Sequence, residues 1–367
     1  MSKAEAADPS PSQDDVRNKY SIASNIVKKI LKLVVDKCVA GAKIQEICTF
    51  GDKGIMDETG QHFVSKKDIK TGLAFPTTLS VNNIICHYSP VDGDVDGPLE
   101  LKDGDLVKID MGAHIDGFCV VVGHSHVVGA SPQNPVTGRK ADVIHAANKA
   151  LEAALRKLKP GCKNMEITDV INKVTSEYNC NAIRGIQSHE TKQHEYDTEK
   201  TIVLNPTEEQ RKKVESCTIE PWEVWILDVV VSTGDGKARE HSSRPNLYKK
   251  NDTAYQLKLN AARQVYAEAN TKFSTFPFHV RYMSDIGKFR MAMTECSQHG
   301  NIEPMQVFEE KEGEFVAQFK STILVTDTGP IRLSGSFDPA PYKTELKIKD
   351  EALKELLLQS LKIKKEN

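Results

Sequence analysis

The stretch GDLVKIDMGAHIDGFCVVVGHSHVVG, residues 104–129, constrains the fold more than any other part of the chain. Two apolar, β-branched runs flank a short turn and read as a pair of strands, with Asp110 and Asp116 displayed on either side of Gly112. A hairpin carrying carboxylates is a natural support for a metal. Holding two divalent ions roughly 3.5–4 Å apart takes about five side chains, mostly carboxylates with one histidine.

Strands return at residues 223–236 (EVWILDVVVSTGDG) and 314–329 (EFVAQFKSTILVTDTG). Residues 72–90, GLAFPTTLSVNNIICHYSP, form a strand-and-loop segment interrupted by Pro76, Asn82, Asn83 and Pro90. Helical spacing of Ile22, Ile26, Ile30, Leu31, Leu33 and Val34 predicts a long amphipathic helix over about 13–40. Further helices are expected at 43–59, 138–158, 165–178 and at the C-terminal end from 350. Residues 241–306 differ in character, with helical patterns around 254–273 and at Ile286, Phe289, Met293 and Cys296, and read as a helical insertion. Without a regular βαβ rhythm, the class is α+β with antiparallel strands.

At 367 residues and 39% hydrophobic content the chain can bury a large core. Its 49 basic and 51 acidic residues leave a net charge of −2, so bulk charge draws it neither to nucleic acid nor to anionic lipid. The eight cysteines are scattered without a CxxC pair, as expected of reduced thiols in cytosol or nucleus. The polar stretch at residues 1–15 reads as a disordered arm without a targeting signal, which makes the sequon at Asn251 irrelevant. No apolar run approaches the roughly 20 residues of a membrane helix.

VKIDMGAHIDGF resembles the metal-binding hairpin of methionine aminopeptidases, in which a second Asp follows the first by eleven residues. Here Asp110 is the first and Val121 stands at the second position. The resemblance continues. His87 matches a substrate-facing histidine; in RGIQSHETKQH, Ile186 takes a metal-ligand slot and His194 matches a second pocket histidine; Asp228 and Lys320 stand at the two remaining ligand positions. A shifted alignment brings His189 rather than Ile186 to the site. Aliphatic side chains offer no lone pair and an ammonium repels a cation. The Lys320 ammonium is expected in the space of the lost ions, paired with Asp110, Asp228 or both, with Phe319 and Ile323 on the opposite side of the strand.

YSIASNIVKKIL, GLAFPTTLSVNN, GDLVKIDMG, VTGRKADVI, EKTIVLNPT and KEGEFVAQFKSTIL together are similar to the proliferation-associated, or ErbB-receptor-binding, protein family. The resemblance implies a pita-bread fold over 16–356 with a curved antiparallel sheet covered by helices and the insertion 241–306 within it. It also implies a non-catalytic, cofactor-free monomer that binds ribosomal RNA and large-subunit proteins near the peptide exit tunnel. Roles in ribosome biogenesis, translation and growth control, and movement between nucleolus, nucleus and cytoplasm, go with it. Residues 357–367 form a short basic tail with Lys362, Lys364 and Lys365, so tail-dependent nucleolar targeting is expected to be weak. The competing functions are a live metallo-aminopeptidase and a protein-only scaffold for transcriptional or receptor partners.

Basic clusters at Lys66-Lys67-Lys70, Arg211-Lys212-Lys213 and Lys249-Lys250, with Lys272, Arg281, Lys288 and Arg290 in the insertion, are the candidate RNA contacts. No RNP-type aromatic motif is present, so recognition by shape is expected. LKELL, with Leu353, Leu356 and Leu357, has the LxxLL form of a docking helix; the competing reading is the buried face of a terminal helix. His124 and His126 share a strand face but lack a third ligand, and STGDGK at 232–237 reads as a turn.

Overall fold

The computed structural model describes residues 9–66 and 68–362. Its body is one antiparallel sheet in the order β1-β3-β4-β14-β8-β6-β7, formed by Thr71–Val81, Leu106–Ile115, Phe118–Val127, Val316–Thr326, Val224–Ser232, Gln187–Thr191 and Thr201–Val203. Two short strands extend it: β15 (Gly329–Arg332) pairs with β14, and β5 (Asn181–Ala182) with β8. The hairpin of β3 and β4 runs in register from Leu106↔Val127 to Ile115↔Phe118, and Asp116-Gly117 make its tip, both with positive φ. Pro76 lies inside β1 after all. The strand is at the sheet's edge and register shifts on both sides of Phe75 absorb the missing N–H.

Helices cover one face of this sheet. α1 (Asp14–Lys37) buries Val16, Tyr20, Ala23, Val27, Ile30 and Val34, at three- and four-residue steps, and packs on β3 and β4 beside α2 (Ile44–Thr59). α3 (Arg139–Lys157) covers β8 and β14 with an alanine-rich stripe, and α4 (Asn164–Glu177) packs against α3. Beneath α3, Phe319, Ile323, Leu227 and Val229 point from the sheet into the core. A one-turn helix, α5 (Glu208–Arg211), links β7 to β8. Because side chains alternate along a strand, the residues between them face the other side, away from these helices.

Over that second side lies a smaller unit. β10 (Leu247–Lys250) is flanked by β11 (Phe278–His279) and β12 (Ile302–Met305), and packs with α6 (Asn260–Phe273) and α7 (Ile286–Gln298) around Phe278, Phe289, Val265 and Met293. The segment 241–306 is therefore mixed α and β rather than helical; its strands are too short to leave a periodic signal. A further small sheet joins β2 (Ile84–Cys86), β13 (Phe308–Glu309) and β9 (Arg239–Glu240).

Arg281, from the short 3₁₀ turn after β11, anchors this unit to the body. Its guanidinium donates to His279 Nδ1 at 2.9 Å and Thr49 Oγ1 at 2.9 Å, also reaches Ser89 Oγ, and lies 3.8 Å from the fully buried carboxylate of Asp52. Asp52 accepts from the Thr77 amide at 2.6 Å and from the Tyr282 hydroxyl at 2.9 Å. Gly51 lets α2 come this close to β1, since a Cβ there would stand 2.6 Å from Thr77 Oγ1.

At the N-terminal end, helix α1 takes in Asp14 and Asp15, and Pro9 and Pro11 line a cleft with Tyr20 and Trp222, so the described part of the expected arm is built into the fold. At the other end α8 runs only over Glu351–Leu358; Gln359 turns extended, and Lys364 and Lys365 lie outside the described residues. Leu353 and Leu356 are buried and Leu357 packs against the α3 core. The LKELL leucines are thus spent inside the protein, in agreement with the reading of a buried terminal-helix face and against that of a free docking motif. Among the described residues, no helix is long and apolar enough to cross a membrane.

Candidate functional site

Four positions stand in a row across the sheet. Asp110 on β3 is opposite Gly123 on β4, Gly123 is opposite Lys320 on β14, and Lys320 is opposite Asp228 on β8. Directly opposed residues share a face, and this is the face away from α1 and α3. Gly123 makes the row possible. A Cβ at this position would stand 2.6 Å from the Lys320 Cβ, so only glycine leaves room for the lysine to lie across β4. The Lys320 ammonium thereby pairs with Asp110 Oδ2 on one side and lies 3.1 Å from Asp228 Oδ2 on the other. Gln318, two residues earlier on the same face, donates from Nε2 to Asp228 Oδ1 at 2.9 Å and to Asp110 Oδ2 at 3.4 Å.

All of this is buried. Lys320 is 6% exposed, Asp110 3% and Asp228 8%. Burial pushes the Asp110 carboxyl up to about 6, with Lys320 opposing the rise and Asp228 adding to it. Burial alone would lower the Lys320 ammonium, but Asp110 and Asp228 outweigh it and hold the lysine well above its ordinary value. The lysine therefore stays charged, and two carboxylates facing one cation leave a residual negative charge. Asp110 Oδ1 carries part of it, buried and without a hydrogen-bond partner among the described residues.

The other two matched positions lie in apolar surroundings. Val121 packs with Phe75, Tyr196, Ile226, Leu247 and Phe276, so two side chains of the 241–306 unit close over it. Ile186 is half-buried against Ile85, Cys86 and Val230. The Phe75 ring lies 5.1 Å from Lys320 Nζ and 6.0 Å from the Tyr196 ring. Among the described residues no group of three or more His, Cys, Asp or Glu could hold a metal ion. The donor set does not fit a pair of divalent cations, and the volume between the carboxylates is taken by an ammonium.

Of the two matched histidines, one reaches this centre. His87, held in a left-handed conformation with its Nδ1 2.8 Å from the Gln306 carbonyl, packs near Phe75; burial pushes its imidazole down to about 4, the carbonyl opposes this, and Lys320 reinforces it. His194 does not. It is exposed in the turn after β6 and lies against Gly117 at the hairpin tip, where a Cβ would meet its ring at 2.5 Å. The neighbour of the pocket is instead His189, whose ring lies 5.1 Å from Tyr196 and whose imidazole is lowered chiefly by burial. Sequence reasoning does not single out Gln318, Tyr196 or Phe75; only Gln318 carries a signal, two residues from Lys320 on a strand. Asp116 is absent from the site, since it pairs with Lys19 at 2.8 Å.

His126 Nδ1 lies 3.4 Å from the Tyr342 hydroxyl and His124 meets Phe319 edge-on, on the helix-covered face. The loop at 232–237 is a turn held by Glu310, which accepts from Ser232 Oγ and the Gly236 amide.

The expected basic contacts divide. Lys66 and Lys70 are exposed; Lys67 lies outside the described residues. Lys272 is exposed but pairs with Glu268 at 2.7 Å, Lys249 pairs with Asp197, and Lys288 bonds to Gln264. Arg211 forms a two-pronged pair with Asp169 at 2.7 and 2.9 Å beside exposed Lys212 and Lys213. Lys250, Arg281 and Arg290 are corrections: Lys250 is buried against Asp252 and Tyr266, Arg281 joins the unit to the body, and Arg290 donates to the Pro245 carbonyl at 2.8 Å and the Tyr248 hydroxyl at 2.6 Å. Their donors are consumed within the fold.

An antiparallel sheet with helices on one face and a central row of buried polar residues on the other defines the pita-bread peptidase class. The model of metallopeptidase family M24 matches residues 18–237. A Schizosaccharomyces pombe protein named curved DNA-binding protein is 40% identical, over 98% of this chain and 94% of its own length. ErbB-3 binding protein 1 of Arabidopsis thaliana is 41% identical over 96% of this chain and 88% of its own. A solved thermophilic Arx1 superposes with a TM-score of 0.89 at 30% identity, covering 96% of this chain and all of that one. The chain belongs to the proliferation-associated, ErbB-3-binding branch of metallopeptidase family M24.

Proposed function

We propose that this protein is a non-catalytic member of its family that works by binding ribosomal RNA and the large ribosomal subunit near the peptide exit tunnel. On this reading it serves ribosome biogenesis, translation and growth control in nucleus, nucleolus and cytoplasm. Lys320 carries the first half of the proposal. An ammonium paired with both remaining carboxylates occupies the place where two metal ions would have to activate water. Asp110, Val121, Ile186, Asp228 and Lys320 are then the remains of the metal centre, and His87 the remains of its substrate pocket.

The second half rests on family membership, on the nucleic-acid binding printed in the name of one relative, and on exposed cations whose side chains form no hydrogen bond or ion pair among the described residues. Lys66 and Lys70 lead these, with Lys212 and Lys213 next. Receptor or transcriptional partners are the second reading, favoured by the name of the Arabidopsis relative. Sedimentation with purified large ribosomal subunits across a salt series tests the ribosomal reading. Binding should weaken as salt rises, and Lys66→Glu with Lys70→Glu should weaken it further and reduce the salt slope by about 1 for each phosphate no longer neutralised. Salt-independent binding, or none, would contradict it.

A further inference from the structure

A cleft of about 260 Å³ lies on the outer side of the hairpin tip, apart from the Lys320 centre. Its walls are Tyr20 of α1, Phe118 at the start of β4, Trp222 just before β8, and the N-terminal prolines Pro9 and Pro11. Glu190 of β6 and Glu223 lie at its base, with Lys192 and Glu195 on its rim. We infer that this cleft receives a lysine side chain presented by a partner protein.

The polar groups in the cleft are unequally satisfied. Glu223 is neutralised by Lys200 and accepts from the Trp225 indole at 2.8 Å and the Glu220 amide at 3.0 Å. Glu190, only 5% exposed, accepts from the Thr198 hydroxyl at 2.8 Å through Oε2; among the described residues its other oxygen has no hydrogen-bond partner and the carboxylate has no ion pair. The Tyr20 hydroxyl, on a residue 1% exposed, likewise has no partner among the described residues. Of the nearby cations, Lys19 pairs with Asp116, Arg17 lies over the Trp222 ring at 5.7 Å and Lys200 pairs with Glu223; Lys192 on the rim acts on the Glu190 carboxylate from a distance but forms no ion pair with it among the described residues. A buried carboxylate without a cation is costly, and a ligand that brings one repays the cost.

The shape and chemistry select among cations. Aromatic and proline walls suit the methylenes of a long side chain, whose ammonium then reaches the base. One free carboxylate oxygen and one phenol oxygen are separate point acceptors, which three rotatable ammonium protons can satisfy. A guanidinium fork prefers both oxygens of one carboxylate, and Thr198 holds the second. Three glutamates exclude an anion. This inference is independent of the ribosomal reading and holds for any partner that displays a lysine.

The chain has two tryptophans; Trp222 lines the cleft, while Trp225 is fully buried and donates its indole N–H to Glu223, so the indole N–H signals of a ¹⁵N-labelled full-length protein report on the wall of the cleft and on its base. Titration with N-acetyl-lysine methylamide should shift the Trp222 signal saturably. N-acetyl-norleucine methylamide, which keeps most of the methylenes and lacks the charge, should not. Glu190→Gln should weaken the lysine probe by about tenfold or more, the scale of one hydrogen bond to a charged group. Tyr20→Phe, which keeps the ring, should weaken it less, and circular dichroism with a thermal unfolding midpoint close to that of wild type certifies the fold of both variants. No saturable shift at the highest soluble concentration, an equal response to norleucine or arginine methylamide, or full binding by folded Glu190→Gln would each overturn the assignment.

Discussion

Lys320→Met is expected to lower the stability of the folded chain by about 3–5 kcal/mol at pH 7, the usual cost of stranding a buried charge by deleting its partner. Methionine matches the lysine stem in volume, so packing over Gly123 is kept and the loss reports on charge. The pH dependence follows from the direction of the shifts. In the wild type the Asp110 carboxyl is raised from its ordinary 3.8 to about 6, so the folded state binds protons more readily than the unfolded state. That group's contribution to stability therefore grows as pH falls through this window and declines as pH rises through it. Lys320, raised above its ordinary value, contributes stability that is fully present below about 10.5 and lost only as pH climbs past its folded value. Removing the ammonium raises Asp110 further, so the defect of Lys320→Met shrinks at mildly acidic pH, where protonation relieves the two carboxylates. Adding Asp110→Asn to Lys320→Met should recover much of the loss. Thermal unfolding of the three proteins from pH 5 to 8 reads this out, and a Lys320→Met protein as stable as wild type at pH 7 would show that the pair contributes nothing.

The second large effect is expected at Arg281, a residue whose basic neighbourhood in the sequence suggests surface contact with RNA. Arg281→Met strands the fully buried Asp52 and removes three further hydrogen bonds to Thr49, Ser89 and His279. A loss of about 3 kcal/mol or more is expected. Because burial raises the Asp52 carboxyl and Arg281 opposes the rise, the variant's Asp52 goes higher still, and the defect again eases as pH falls. Hydrogen exchange should speed up across β10, β11 and β12 before it does in β3, β4 or β14, because the Arg281 guanidinium ties that unit to the body. A stable variant with reduced ribosome binding would return Arg281 to the surface role.

Much of the scaffold is legible in the sequence because its signals are local. The helical stripe of α1 and the alternation along 314–329 give element type and facing, and Phe319 and Ile323 lie on the helix side while Lys320 lies on the other. What the sequence does not show depends on pairs far apart in the chain. β10 meets β12 across more than fifty residues and each strand is four residues long, too short for a period to register. Arg281 looks like any basic surface residue until Asp52 is placed beneath it. The role of Gly123 follows only from register, which sets it between Asp110 and Lys320, and the gain of His189 over His194 depends on which side of the β6 turn each falls.

Metal stoichiometry tests the central claim most directly. Purified wild-type protein, equilibrated with manganese or cobalt and freed of excess ion, is analysed for bound metal and assayed for methionine release from a Met-Ala peptide. With the Lys320 ammonium between Asp110 and Asp228, the expected result is far less than one ion per chain and no release. Two ions per chain, lost together with measurable release in Asp110→Asn, would contradict the account.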